Sequence, residues 1–278
     1  MHSNLESKAY ISPFGQTNIQ RRFSDIIELV HRTKEITDNA SLRADVHEKG
    51  KSDYVTAIDY TISKFLKAEL EKILPIGFMS EEDNQKSLDK NRWILDPIDG
   101  TTNLIFDYRL SSISLALMLE SCIVFGVVYN PFTEETFYAE KGGGAYLNGQ
   151  RLEVSDHSIG ESLIEFSAGA RRKQDADESF RIAKEVFEDC IDVRHICSSA
   201  LSISYVAARR IDGFFEKVLN PWDYAAASLI LQEAGGIITD WAGNSIQFDK
   251  PSSIIAANKN NYQYLLSKIS SVYGGKKE

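Results

Sequence analysis

The chain has 278 residues, 43% hydrophobic and 26% charged, a globular composition with length for one large domain or two small ones. With 40 acidic against 31 basic side chains the net charge is -9, and no dense Lys/Arg tract appears apart from short runs such as those at Arg171-Arg172 and Arg209-Arg210. Nucleic acid is therefore not the expected ligand, and an anionic substrate would need a bound cation to mediate. No stretch approaches the roughly 18 apolar residues of a membrane helix, MHSNLESKAY lacks a signal-peptide core, and Cys122, Cys190 and Cys197 lack metal-ligand spacing. A soluble cytoplasmic protein with reduced cysteines is expected, without a disulfide framework or zinc knuckle.

In chain order, residues 1–20 hold Pro13 and Gly15 but no period and read as a tail or lead-in. Phe23, Ile26, Ile27 and Val30 then fall at helical spacing and predict a helix running toward residue 40 or beyond. A polar segment from Glu48 to Asp59 follows. Ile58, Ile62, Phe65, Leu66, Leu70 and Ile73 mark a second helix, ended by Pro75. Strands are predicted at 76–79, 92–95, 111–118 and 123–129, and Gly142-Gly143-Gly144 and Asn148-Gly149 mark tight turns. Beyond 160, helices are predicted near 176–188 and 199–209, and a strand at 213–216. A further helix runs from Pro221 to Ala234, with Asn220 as N-cap and Gly235-Gly236 as its stop. Asn258 caps a final helix with Tyr262, Leu265, Leu266 and Ile269 on its buried stripe. No repeat or long linker divides the chain, so 21–278 is read as one unit, sheet-rich to about residue 155 and α/β after it.

The sharpest segment is WILDPIDGTTN, Trp93 to Asn103, where an apolar strand delivers Asp96 and Asp99 into a turn followed by Gly100 and Thr101. Asp-Pro and Asp-Gly taken singly are turn dipeptides. Behind a buried strand, two carboxylates three residues apart can converge, and their repulsion calls for a cation. All-oxygen ligands suit Mg²⁺. The N–H groups of Gly100 and Thr101, at a helix start, can cradle phosphate. Three other places supply pieces: Ser52 to Asp59, which also reads as a helix cap; Ser80 to Asp83, which also reads as a solvated acidic loop; and Asp223, in a first helical turn where the dipole favours a negative charge.

In this order the segments DPIDGTTN, DYVTAID, Glu81-Glu82 and PWDYAAASLILQEAGG resemble the inositol monophosphatase family, within the lithium-sensitive, metal-dependent sugar phosphatases. The resemblance spans Arg22 to Asn258. It implies a layered α/β sandwich, usually dimeric, with Mg²⁺ held by Glu81, Asp96, Asp99, Asp223 and the Ile98 carbonyl. Thr101, paired with Asp59, would activate the attacking water, and Glu81 would help to hold it. Ile98, Asp99, Gly100, Thr101 and Asp223 would face the substrate. Glu216 matches the carboxylate that binds a polyol hydroxyl, and Arg194 with Cys197, Ser198 and Ser199 matches the second substrate-facing stretch. The family commonly has glycine where Ser80 and Cys197 stand. Its lysine before the first aspartate falls on Glu48, with Lys49 and Lys51 nearby. GTTN and Glu216 favour a myo-inositol monophosphate or similar polyol or sugar phosphate, with histidinol phosphate and fructose 1,6-bisphosphate as alternatives. A role as an interaction partner of the transcription machinery is the alternative of another class.

Overall fold

The computed structural model describes residues 16–50, 53–83, 87–169 and 173–273. The N-terminal part comprises α1 (Gln16–His31), α2 (Thr33–Thr37), α3 (Ala40–Ala44), the hairpin β1 (Val46–Gly50) and β2 (Asp53–Thr56), and α4 (Ala57–Ile73). The lead-in through residue 15 lies outside the described residues, and the helix expected after residue 20 already begins at Gln16. The single helix expected toward residue 40 is three. Thr33 and Thr37 turn their hydroxyls back onto the carbonyls of Val30 and Thr33, at 2.6 and 2.8 Å, competing with the helical ladder. Asn39 then caps α3, accepting from the Ser41 and Leu42 N–H groups. The polar segment before α4 is the β1–β2 hairpin, whose first strand is fully exposed and carries no apolar alternation to read.

Next come β3 (Gly77–Ser80), β4 (Arg92–Asp99), α5 (Thr101–Ile105), β5 (Ser112–Leu119), β6 (Cys122–Asn130), β7 (Glu135–Glu140), β8 (Gly144–Leu147) and β9 (Gln150–Arg151). β3 to β9 form one seven-stranded sheet in sequence order, antiparallel except for β3 beside β4. The rest contains β10 (Leu163–Ser167), α6 (Ala176–Phe187), β11 (Asp192–Arg194), α7 (Ser199–Ala207), β12 (Gly213–Leu219), α8 (Pro221–Glu233), β13 (Ile237–Thr239), β14 (Ser252–Ala257) and α9 (Lys259–Tyr273). Its five strands pair in the order β11-β10-β12-β14-β13.

Five layers result. α1 and α4 cover one face of the seven-stranded sheet, α7 and α8 fill the space between the sheets, and α6 and α9 cover the outer face of the second sheet. The expected layered α/β sandwich is the observed fold. Both faces of the large sheet are covered, which is why β4 and β5 are buried at every residue and read as continuous apolar runs. α7 is likewise buried at all nine residues, so no polar face marks its period. α8 lies so close to β6 that a Cβ on Gly126 would stand 2.6 Å from the Ala226 carbonyl oxygen. Only glycine permits that approach.

Candidate active site

In a regular strand, residues three apart point to opposite faces, which would separate Asp96 from Asp99. β4 avoids this with a bulge. Asp96 lies opposite Ser114 and Asp99 opposite Ser112, so three steps on β4 match two on β5 and both carboxylates turn to one side. Pro97, which lacks an N–H for the ladder, sits inside the bulge. The Asp96 carboxylate also accepts from the Ile98 N–H at 3.0 Å. After Asp99 the chain turns sharply at Gly100, with φ 86°, where a Cβ would meet the carbonyl oxygens of Leu110 and Cys197 at 3.1 and 3.2 Å. α5 starts from that turn.

Asp99 is anchored by α7. Its Oδ2 accepts from Ser198 Oγ at 2.6 Å and the Ala200 N–H at 2.8 Å, and its Oδ1 accepts from the Ser199 N–H at 3.3 Å. The third carboxylate, Asp223, comes from the first turn of α8, where its Oδ2 accepts from the Asn220 N–H at 2.6 Å. Ser114 Oγ donates to the Trp222 carbonyl, tying that turn to β5 beside the bulge. One oxygen each of Asp96, Asp99 and Asp223 lie within 4.8 Å of one another. Burial, reinforced by the charges of Glu81 and Asp99, drives Asp96 and Asp223 well above the usual carboxylate range. Burial lifts Asp99 to about 6 against the hydrogen bonds from α7. Three carboxylates that repel one another, Asp96 and Asp99 buried and Asp223 partly so, with only oxygen donors converging, fit a hard divalent cation.

Beside them, Thr101 Oγ donates to Asp59 Oδ1 at 3.2 Å and to the Ile98 carbonyl at 3.1 Å. Asp59 is held from the other side, Oδ2 accepting from the Thr56 N–H at 2.8 Å and Thr56 Oγ1 at 2.6 Å, so one residue both caps α4 and faces Thr101. Burial raises the Asp59 carboxyl to about 7, with Glu82 and Glu81 adding to the rise. Across the cleft, Glu216 of β12 accepts from Ser199 Oγ at 2.9 Å, and burial pushes it up to about 8.

A cleft of about 330 Å³ gathers Glu81, Asp96, Ile98, Asp99, Gly100, Thr101, Cys197, Ser199, Glu216 and Asp223 in its lining. Glu81 faces the same cleft but stands outside the set of three mutually close carboxylates. Ser198 lies buried behind the wall, with its hydroxyl on Asp99. Arg194 is not brought in. It is exposed on edge strand β11, where its guanidinium pairs with Asp192. Of the lysine candidates, Lys49 reaches the site, 2.5 Å from Glu82 Oε1 and 3.9 Å from Glu81 Oε1; Glu48 is exposed and Lys51 lies outside the described residues. At the two positions where the family commonly has glycine, Cys197 adopts the left-handed φ of 64°, while Ser80 is buried in β3 beside Ser63. The sequence reading missed Tyr54, Ser167 and Pro251 in the lining. Tyr54 belongs to the short strand β2, and Ser167 to β10, which was not singled out.

Fold and site together define a cleft between two sheets that can hold a divalent cation against a small ligand. The sequence profile described as "Inositol monophosphatase family" matches residues 16–273. The chain belongs to the inositol monophosphatase family. It is 36% identical over 231 residues to an inositol-1-monophosphatase of Mesorhizobium japonicum, covering 80% of this chain and 84% of that one. It is 34% identical over 226 residues to Nus factor SuhB of Escherichia coli strain K12, with the same coverage. The structure of an IMPase from Thermotoga maritima superposes with a TM-score of 0.84 at 30% identity, covering 92% of this chain and 99% of that one. No helix among the described residues is long and apolar enough to cross a membrane.

Proposed function

We propose that the chain is a Mg²⁺-dependent phosphomonoesterase that hydrolyses a myo-inositol monophosphate, or a similar polyol or sugar phosphate, to the alcohol and inorganic phosphate. The observation that carries this reading is the convergence of Asp96, Asp99 and Asp223 beside the Thr101–Asp59 hydrogen bond, in one cleft with Glu216. Membership of the family supports it.

Asp96, Asp99 and Asp223 would hold the cation, with Glu81 and the Ile98 carbonyl facing the same cleft. A divalent cation supplies charge neutralisation for the phosphate and acidifies water. The protein's own part is proton handling and orientation. Thr101 Oγ can accept a proton from an attacking water while passing its own to Asp59 Oδ1, and a carboxyl at about 7 is matched to that task near neutrality. Asp59 cannot swing away, because Thr56 holds its second oxygen. On the leaving-group side, Glu216 and Ser199 offer hydrogen bonds to a polyol hydroxyl. A pocket built on hydroxyl recognition rejects esters that lack the hydroxyl, because its buried polar groups are then left unpaired.

A panel of phosphate esters assayed for kcat/KM with Mg²⁺ tests this. Preference for myo-inositol 1-phosphate supports the substrate choice. Preference for histidinol phosphate or fructose 1,6-bisphosphate overturns the choice but keeps the site, and no turnover of any ester overturns both. Inhibition by lithium at millimolar concentration is expected in the same assay. A second reading, association with the transcription machinery, is favoured by the relative named Nus factor SuhB. Capture of transcription proteins that survives Asp99→Asn would support a binding role separate from catalysis.

A further inference from the structure

The backbone of Ile196 is held at both of its peptide groups. Its carbonyl accepts from Asn103 Nδ2 at 2.8 Å, and its N–H donates to Glu165 Oε1 at 3.1 Å. Asn103 sits in α5, in the wall of the cleft, and the same Nδ2 also donates to the Leu110 carbonyl at 2.7 Å. Glu165 lies within β10 with no exposed surface. Its Oε1 accepts a second bond from Ser202 Oγ in α7, at 2.6 Å, while its Oε2 has no partner among the described residues.

The mechanism makes no use of Glu165. A carboxyl buried with one bare oxygen is a costly component, and cheaper side chains could fill the same space. What it touches supplies a reason. Ile196 leads into Cys197, whose φ of 64° lies in the left-handed region that side chains with a Cβ disfavour, so the turn must be imposed by its surroundings. Directly after it come Ser198, whose hydroxyl holds Asp99, and Ser199, whose hydroxyl holds Glu216.

We infer that Glu165 and Asn103 are positioning residues that grip the two peptide groups flanking Ile196, impose the left-handed turn at Cys197, and so aim Ser198 at Asp99 and Ser199 at Glu216. This rests on the phosphatase reading for its kinetic consequences, while the grip itself is a property of the fold. Burial holds the Glu165 carboxyl at about 7, yet Oε1 accepts the same two bonds in either protonation state. Glutamine can therefore replace it.

The test compares Glu165→Gln, which keeps the acceptor, with Glu165→Leu, which removes it at similar volume. Each is assayed on myo-inositol 1-phosphate and on p-nitrophenyl phosphate, which has no polyol hydroxyls, with amide hydrogen exchange followed over residues 196–204. Glu165→Gln should stay near wild type in both. Glu165→Leu should lose on the order of 100-fold in kcat/KM on the inositol ester, partly through a raised KM, and lose only kcat on p-nitrophenyl phosphate. Its exchange over 196–204 should speed up. Unchanged exchange overturns the inference, as does an equal loss on both esters with KM fixed, which is only a smaller folded fraction. Should Glu165→Leu fail to fold, Asn103→Ala releases the next peptide, at the Ile196 carbonyl, and must give the same split. A wild-type protein that turns over no ester of the panel defeats the phosphatase reading, and the exchange data still decide the grip.

Discussion

Replacing Asp99 by asparagine should inactivate the protein and, in the absence of metal, make it more stable. The Ser198 hydroxyl and the Ala200 N–H both donate to the same Asp99 oxygen, Oδ2. An asparagine carbonyl in that position keeps both bonds; its NH₂ then replaces Oδ1, giving up only the long 3.3 Å bond from the Ser199 N–H and setting a donor where an oxygen was available to a cation. Loss of activity on the order of 10³-fold is expected, the scale of removing one preorganised electrostatic contact. Burial holds the Asp99 carboxyl at about 6 against an ordinary 3.8, so keeping it ionised at pH 8 costs the native state roughly 3 kcal/mol. The sign follows from proton binding. The folded state holds the proton more tightly than the unfolded chain, so this cost is absent below 3.8, grows as pH rises, and is complete above about 6. Metal-free Asp99→Asn should therefore melt higher than wild type at pH 8 by roughly 4–10 °C, and the gap should close toward pH 4. Saturating Mg²⁺ should reverse the order, because only the wild type gains full binding energy. Differential scanning fluorimetry across pH, with and without metal, reads all of this. A variant that keeps near-wild-type turnover, or whose metal-free form melts no higher at pH 8, would refute the reasoning.

Thr101→Val and Asp59→Asn should each lower kcat about 100-fold with little change in KM, and the double variant should lose little more than either single one; steady-state kinetics decide this. Glu165 and Glu216, lifted by burial to about 7 and about 8 from an ordinary 4.5, bind protons in the fold that the unfolded chain has released. Stability of the metal-free protein should thus fall as pH rises from 5 to 9, and Glu216→Gln should flatten the decline in urea titrations. Gly126→Ala places a methyl against the Ala226 backbone and should cost roughly 1–3 kcal/mol by urea denaturation.

Much of the fold was legible because the central strands are apolar runs bounded by turns and the helices α4, α8 and α9 carry caps and stops. What escaped did so for physical reasons. β1 is exposed at every residue, so nothing alternates along it, and β2 is too short to show a period. β13 and β14 are held by their sheet partners and carry no local signal of their own. The site carboxylates were readable from their motifs, but their convergence was not, since it depends on a bulge at Pro97 that only the pairing with β5 reveals. Arg194 follows the family motif in sequence yet is turned outward by the edge strand that carries it. The anchoring of Asp99 by Ser198 joins residues 99 positions apart, a distance that no local pattern spans.

Asp59, Asp96 and Asp99 belong to the elements around the large sheet, whereas Asp223 and Glu216 arrive with the second half of the chain. Neither half alone owns all three of the mutually close carboxylates. A cation captured here would behave as a rivet between two plates, and its affinity would report how well they have docked. Substitutions far from the cleft that loosen the α7–α8 layer should therefore surface first as weakened metal affinity, before any measurable unfolding.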